Sequence, residues 1–352
     1  MKAAILFGNE DIRYADMAEP ETRPGTVKVR VRACGICGSD VPRVLHGGAH
    51  FYPVVLGHEF AGDVVEVGAG VKGFSPGDRV SCAPLVPCGK CADCQRGHFS
   101  LCRHYSFIGS REQGGMAESV VMPAANAVKF GGDVPYWTAA MFEPATVALH
   151  GIFLNGSVSG EDVAVIGCGT IGIFVIQWAR LLGAHRVAAF DIEPERLGFA
   201  RRMGADSGFD TRDADFAERA RAATQGGAGF GAVFDASGCE ATIHAAFRLA
   251  ANRARVCVIG TPVRDISFTK AEWELMNRKE FRLTGSWMSY SAPFPGREWE
   301  MVADYATSGR LVFDQQLLFR KFPLARAAEA FDLFHNPSQV HGKVMLMCGD
   351  DA

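Results

Sequence analysis

The stretch Glu161-Asp-Val-Ala-Val-Ile-Gly-Cys-Gly-Thr-Ile-Gly172 decides the fold. Its first half is a short apolar run, as expected of a strand buried on both faces of a parallel sheet. Its second half, Gly167-x-Gly169-x-x-Gly172, is a tight turn, and Ile171 to Leu182 then reads as a helix. Downstream, strand and helix alternate. Arg186–Asp191, Ser207–Asp210, Gly231–Ser237, Ala254–Gly260 and Phe281–Ser286 read as strands, and a helix opens at Glu193-Pro194. Six strands with intervening helices predict a doubly wound parallel sheet. Tyr136 to Phe153 reads as a helix leading into it.

The chain before residue 135 has a different texture, rich in Gly, Pro and Val. Thr26-Val-Lys-Val-Arg-Val-Arg32 alternates with the period of a half-buried strand, and Asp63–Gly68 and Gly77–Ser81 continue the β character. This part predicts a barrel-like β domain with long loops. From Trp287 onward the pattern is less regular. No internal repeat is seen.

At 352 residues the chain accommodates two domains. A net charge of −3 without basic runs offers no electrostatic footprint for nucleic acid or an anionic membrane. No apolar run approaches the ~20 residues of a membrane span, and the N-terminus reads as a strand rather than a signal peptide. Eleven cysteines without a secretory signal point to metal ligands in a reducing, cytoplasmic setting. Cys34, Cys82, Cys168, Cys239, Cys257 and Cys348, outside the clusters, read as small buried hydrophobes.

The glycine turn predicts a dinucleotide site. The first two glycines allow the tight turn and close approach of a pyrophosphate, and the third allows close helix–strand packing. The phosphates would meet free N–H groups and the positive helix end. The expected contacts are Gly167, Gly169, Thr170, Ile171 and Gly172, with Ile259 and Gly260 after a later strand. Asp191, ending the second strand, would bind the ribose 2′-hydroxyl and repel a 2′-phosphate, favouring NAD over NADP. Arg196 would lie beside the adenine, with contact to a 2′-phosphate as the other reading.

Two sets of metal ligands stand out. Cys88-x2-Cys91-x2-Cys94-x7-Cys102 offers four thiolates, which fill a tetrahedral zinc and leave no position for substrate. Iron–sulfur ligation uses similar spacings. The loop holds little apolar material, so metal would contribute to ordering it. Cys37 and His58-Glu59 lie in separate Gly-rich loops and suggest an open zinc, hence a Lewis acid. Glu143 is a candidate fourth ligand that leaves when substrate arrives, although a helix N-terminus also favours an acid. Ser39 is a candidate for passing a proton outward, or simply a loop-capping hydroxyl.

The segment Gly57-His-Glu-x2-Gly62-x5-Gly68-x2-Val71 resembles the zinc signature of the medium-chain alcohol and polyol dehydrogenases. The cysteine cluster, glycine turn and Glu143-Pro144 follow in that family's order over nearly the whole chain. Tyr105-Ser-Phe-Ile-Gly-Ser-Arg111 and Gly285-Ser-Trp-Met-Ser-Tyr-Ser-Ala-Pro-Phe-Pro-Gly-Arg-Glu-Trp299 are similar to its polyol-phosphate branch. The resemblance implies a GroES-like catalytic domain, residues 1–147 and 287–352, around a Rossmann domain, residues 148–286. It implies Cys37, His58, Glu59 and Glu143 around a catalytic zinc, with the two glutamates alternating, and Cys88, Cys91, Cys94 and Cys102 around a structural zinc. It further implies a homodimer or homotetramer. The reaction implied is hydride transfer from a secondary hydroxyl of a polyol or polyol phosphate to NAD. Free galactitol, sorbitol or xylitol, and L-threonine, are the alternative substrates. Phe51, Trp287 and Tyr290 are candidate pocket walls, and Arg43, His50 and Arg297 candidate phosphate donors. A zinc-free quinone or enoyl reductase shares this fold, and a zinc-binding interaction module is the non-enzymatic reading.

Overall fold

In the computed structural model, which describes residues 1–349, the chain divides into two units. One is Met1–Glu143 joined by the chain from Tyr290 onward, and the other is Pro144–Ser289.

The first unit is built on an antiparallel framework. Its central strand, Thr26–Ile36, pairs with Glu59–Val67, Ser119–Pro123 and Lys343–Met347. Arg79–Cys82 and Ala127–Lys129 extend one side; Leu318–Pro323 pairs in parallel with Lys343–Met347 on the other. A smaller sheet joins Asp11–Asp16, Lys2–Gly8 and Val54–Val55. Val27, Val29 and Val31 enter a core shared with Leu6, Phe60, Val344 and Leu346. The alternation read from Thr26–Arg32 breaks at Lys28, which is buried because Glu19 and Glu66 each hold its ammonium at 2.9 Å. The irregular tail thus returns two strands to the first sheet, and one carries a residue of the candidate site.

The second unit is a six-stranded, all-parallel sheet. Its order is Ser207–Asp210, Arg186–Asp191, Asp162–Ile166, Phe230–Asp235, Ala250–Val258, Arg282–Gly285. The order reverses beside the first strand, where such sheets open a ligand crevice at their carboxyl ends. The strand Asp162–Ile166 is buried throughout, as its unbroken apolar run requires.

Two expectations change. The helix read over Tyr136–Phe153 is two helices, Tyr136–Ala140 and Phe142–Asn155, with Met141 between them. Pro144 explains the break: inside one continuous helix its ring would clash with the Ala140 carbonyl, whereas in a first turn its missing N–H costs nothing. Cys239, expected in the core, is exposed at the start of the helix Glu240–Leu249, beside the hydroxyls of Ser237 and Thr242. The other five unclustered cysteines are buried.

Candidate active site

The glycine turn closes as its chemistry demands. A Cβ on Gly172 would fall 1.8 Å from the Gly167 carbonyl oxygen, so no other residue lets the helix Thr170–Leu181 start so close to the strand. Gly167 has φ +89°, a conformation costly to other residues. A Cβ on Gly169 would meet no atom within 4 Å, leaving an open cradle against its backbone. Gly169 caps the helix without a side-chain hydrogen bond, so the first-turn N–H groups around Thr170 and Ile171 keep their capacity for an anion. These features fit a dinucleotide pyrophosphate.

Asp191 is buried at the end of its strand. Its Oδ2 accepts from Cys168 N–H at 2.7 Å and its Oδ1 from Glu193 N–H at 3.0 Å. The carboxylate is thereby clamped to the backbone of the glycine turn itself. Burial chiefly pushes the Cys168 thiol up to about 12, helped by Asp191 and opposed by Arg196, which brings Arg196 into the same neighbourhood. Ile259 packs inward, its Cδ1 close against Gly151, and Gly260 abuts the Gly238 backbone. Both therefore have an evident packing role.

In the first unit, Cys37 follows the central strand and His58-Glu59 begins its neighbour. The cross-strand pair Gly35–Glu59 brings the two loops together. One ligand atom from each of Cys37, His58 and Glu59 lies within 4.8 Å of the others. Three buried polar atoms here lack a hydrogen-bond partner: Asp40 Oδ1, His58 Nδ1 and Glu59 Oε2. Buried polar atoms are rarely left so; their grouping fits a cation. Burial opposes a charge on His58, but Asp40 and Cys37 overcome it and draw positive charge to this place.

Glu143, in the first turn of Phe142–Asn155, is not among the residues within that 4.8 Å set. Burial chiefly pushes its carboxyl up to about 7, with His58, Glu59, Lys343 and Asp40 all close enough to act on it. It borders the set. Ser39 is exposed; its carbonyl accepts from Arg43, and its hydroxyl makes no hydrogen bond among the described residues. Loop capping therefore does not account for it. Tyr290, expected in a pocket wall, is a core residue: it is buried, its hydroxyl accepts from Leu85 N–H at 2.9 Å, and it stacks on Phe294. Phe51 and Trp287 are exposed, and Arg297 opens the helix Arg297–Thr307.

Two residues of this site escape a reading of the sequence. Asp40 is fully buried, accepts from Cys37 N–H at 3.1 Å and lies 3.5 Å from His58 Nδ1, too far for a good hydrogen bond. A carboxylate beside the second nitrogen orients a metal-binding histidine. Lys343 comes from the last strand. Its Nζ donates to Glu59 Oε1 at 2.7 Å and lies 2.7 Å from Oε2 without a hydrogen bond to it. Removing one partner of a buried pair costs about 3–5 kcal/mol. Lys343→Met is therefore expected to destabilise the protein. A metal dication would partly replace the lost charge, so the loss should be larger after zinc is stripped than before. Urea unfolding of both forms checks this; equal losses would show that Glu59 does not face the metal.

The four clustered cysteines bring their sulfurs within 4.8 Å of one another. Cys88–Cys94 and Cys91–Cys102 are each 4.0 Å apart. A tetrahedron of ~2.3 Å zinc–sulfur bonds has edges of about 3.8 Å, so the set matches zinc. Backbone hydrogen bonds with Cys94 and Arg103 lead in pulling the Cys91 thiol down to about 6, while burial pushes Cys94 up to about 12. A dication removes that conflict by deprotonating all four.

The chain has full-length relatives among known proteins. The alcohol dehydrogenase GroES-like domain model matches residues 23–132 and the zinc-binding dehydrogenase model residues 170–304. The chain is 36% identical to galactitol 1-phosphate 5-dehydrogenase of Escherichia coli (strain K12), over 99% of this chain and 100% of that one. It superposes on the crystal structure of galactitol-1-phosphate dehydrogenase from Escherichia coli with a TM-score of 0.93 at 35% identity, covering 99% and 100% of the two chains. A zinc-binding dehydrogenase from Sinorhizobium meliloti 1021, solved with NADP, matches with a TM-score of 0.89 at 30% identity, covering 98% of each chain. A full-length relative at this identity, with both domain models matched in order, makes the chain a member of the zinc-dependent medium-chain alcohol and polyol dehydrogenases.

Proposed function

We propose that this enzyme oxidises a secondary hydroxyl of a polyol phosphate of the galactitol 1-phosphate kind to the ketose phosphate, with NAD as acceptor. The observation that carries this reading is the end-to-end likeness to galactitol 1-phosphate 5-dehydrogenase, joined to a ligand set able to hold an open zinc. When bound, zinc supplies a Lewis acid for the substrate oxygen and the dinucleotide supplies the hydride acceptor.

The chain's residues have separable tasks. Cys37 and His58 would hold the zinc, with Glu59 and Glu143 as the candidate carboxylate ligands. Asp40 orients His58, and Lys343 keeps Glu59 from standing as a lone buried charge. Oxidation releases one proton, and the exposed hydroxyl of Ser39 gives it a route to water. Cys88, Cys91, Cys94 and Cys102 hold the structural zinc. Gly167, Gly169, Thr170, Ile171 and Gly172 receive the pyrophosphate, Asp191 the ribose, and Arg196, Ile259 and Gly260 border the cofactor.

Turnover on a panel of free polyols and polyol phosphates, followed by NADH absorbance, tests the substrate. Activity led by galactitol 1-phosphate supports the proposal. A preference for galactitol, sorbitol or xylitol would keep the chemistry and discard the phosphate, and activity on threonine alone would discard both.

The choice of NAD rests on Asp191. In this reading its clamped carboxylate would repel a 2′-phosphate. Asp191→Asn keeps a side-chain acceptor and removes the charge. It is expected to lower the ratio of kcat/KM for NAD over NADP by roughly tenfold or more, the worth of one charge-assisted contact. An unchanged ratio would remove Asp191 from cofactor choice.

We also assign a homodimer or homotetramer, supported by the edge strand Arg282–Gly285, whose Leu283 is exposed and whose free side suits pairing with a second copy. Light scattering reads this directly. A cytoplasmic setting suits the free thiols of the metal sets, and no described helix is long and apolar enough to cross a membrane.

A further inference from the structure

Two arginines and a histidine lie around the segments that carry the metal set, and only Arg43 and His50 stand out in the sequence. Arg43, on the short helix Val41–Leu45, donates to the Ser39 carbonyl and lies 3.5 Å from Asp40 Oδ1. That same oxygen is 3.5 Å from His58 Nδ1, so Arg43 is tied to the metal histidine through one carboxylate.

Arg111 reaches the same histidine by another route. The segment carrying it packs against the backbone at Gly57-His58. Gly115 N–H donates to the Gly57 carbonyl at 2.8 Å and Met116 N–H to Leu56 at 3.0 Å. A Cβ on Gly109 or Gly114 would fall within 2.4 Å of the Gly57 oxygen, so nothing larger than glycine allows this approach. Phe107 meets His58 edge-on at 5.4 Å. Arg111 N–H donates to the Phe107 carbonyl at 2.9 Å, and the Arg111 guanidinium lies 4.6 Å from the Tyr105 ring centre. Among the described residues no carboxylate pairs with that guanidinium. His50 is exposed between these influences: slight burial, then the charges of Arg111 and Arg43, hold its proton affinity below the ordinary histidine value. Among the described residues Asp40 is the one carboxylate paired with the group, and it is shared with His58.

We propose that Arg111, with Arg43 and His50, forms an anion site beside the metal set that takes the terminal phosphate of a polyol phosphate. The proposal rests on the polyol-phosphate reading above and says which residues enforce it. A terminal phosphate sits several bonds from the reacting hydroxyl, so its site belongs next to the metal rather than on it. A planar guanidinium grips a phosphate through two parallel hydrogen bonds. Stacking on Tyr105 steadies Arg111 without using its donors. Arg43 has part of its charge committed to Asp40, which makes Arg111 the principal contact.

The test compares wild type with Arg111→Ala and Arg111→Lys, each first checked for zinc content and NADH binding. The readout is the ratio of kcat/KM on galactitol 1-phosphate to that on galactitol. Arg111→Ala is expected to collapse this ratio by roughly 10- to 100-fold, the range of a charge-assisted contact. Arg111→Lys should recover part of it, since lysine binds phosphate as a point charge. Inorganic phosphate should inhibit galactitol oxidation competitively in wild type and far less in Arg111→Ala. An unchanged ratio in both Arg111→Ala and the Arg111→Ala/His50→Ala double variant would overturn the proposal. A wild type that treats both substrates alike would break the polyol-phosphate reading instead. Phosphate inhibition then decides the site alone: relief in Arg111→Ala supports an anion site, and no inhibition in wild type overturns it.

Discussion

Cys37→Ala is expected to abolish turnover while leaving the fold intact and one zinc per chain in place. Loss of a Lewis acid removes several kcal/mol of transition-state stabilisation; at about 1.4 kcal/mol per decade, kcat/KM should fall roughly 10³-fold or more. The fold should survive because backbone contacts hold the Cys37 loop. Cys37 N–H donates to Asp40 Oδ2 at 3.1 Å, and the Asp40 N–H donates to the Cys37 carbonyl at 2.9 Å. Neither bond involves the thiol. Zinc analysis, circular dichroism and initial rates on one preparation check all three parts. Wild-type kcat in this variant would refute the catalytic assignment, and loss of both zincs would refute the independence of the two sites.

Cys94→Ala should show the complementary pattern. Cys94 is, with Cys102, one of two buried members of a cluster in a lobe where Leu101 is exposed. The lobe has few anchors of its own: Phe99 meets Phe294 edge-on at 5.4 Å, and the Ser100 hydroxyl accepts from Tyr290 N–H at 3.1 Å. Zinc in small modules contributes on the order of 10 kcal/mol to folding, far more than these contacts. The variant is expected to lose the structural zinc and become open to proteolysis between residues 88 and 102, while Cys37, His58 and Glu59 still bind the other ion. Limited proteolysis with mass spectrometry locates the cleavage. A lobe that stays resistant and holds two zincs per chain would mean that the cysteines do not order it.

How legible was all this in the sequence? The parallel sheet was, because a strand buried on both faces reads as an unbroken apolar run and a glycine turn has a fixed spacing. Even the short strand Ser207–Asp210, with little pattern of its own, forms where the alternation of strand and helix requires one. The four clustered cysteines keep company in one short span, and the structure brings their sulfurs together, as it does Cys37, His58 and Glu59 from separate loops. What could not be read was anything set by pairing across the chain. Lys343 begins an apolar strand and looks like a solvated end, yet antiparallel register with Ile36 places it on Glu59, 284 residues away. Asp40 looks like an ordinary turn residue after Gly-Ser. For Tyr290 a pocket wall and core packing read equally well from sequence; the Leu85 backbone that claims its hydroxyl lies 205 residues off.

The Lys343–Glu59 pair also sets the two ligand sets apart in how far along the chain each reaches. The cysteine lobe draws all four of its candidate ligands from one segment of fifteen residues, Cys88 to Cys102. The other site has no such freedom: Glu59 gains its counter-charge only where the strand Lys343–Met347 docks beside the central strand. One ligand set is thus brought together within a single short segment, whereas the other borrows its balancing charge from a strand 284 positions along the chain.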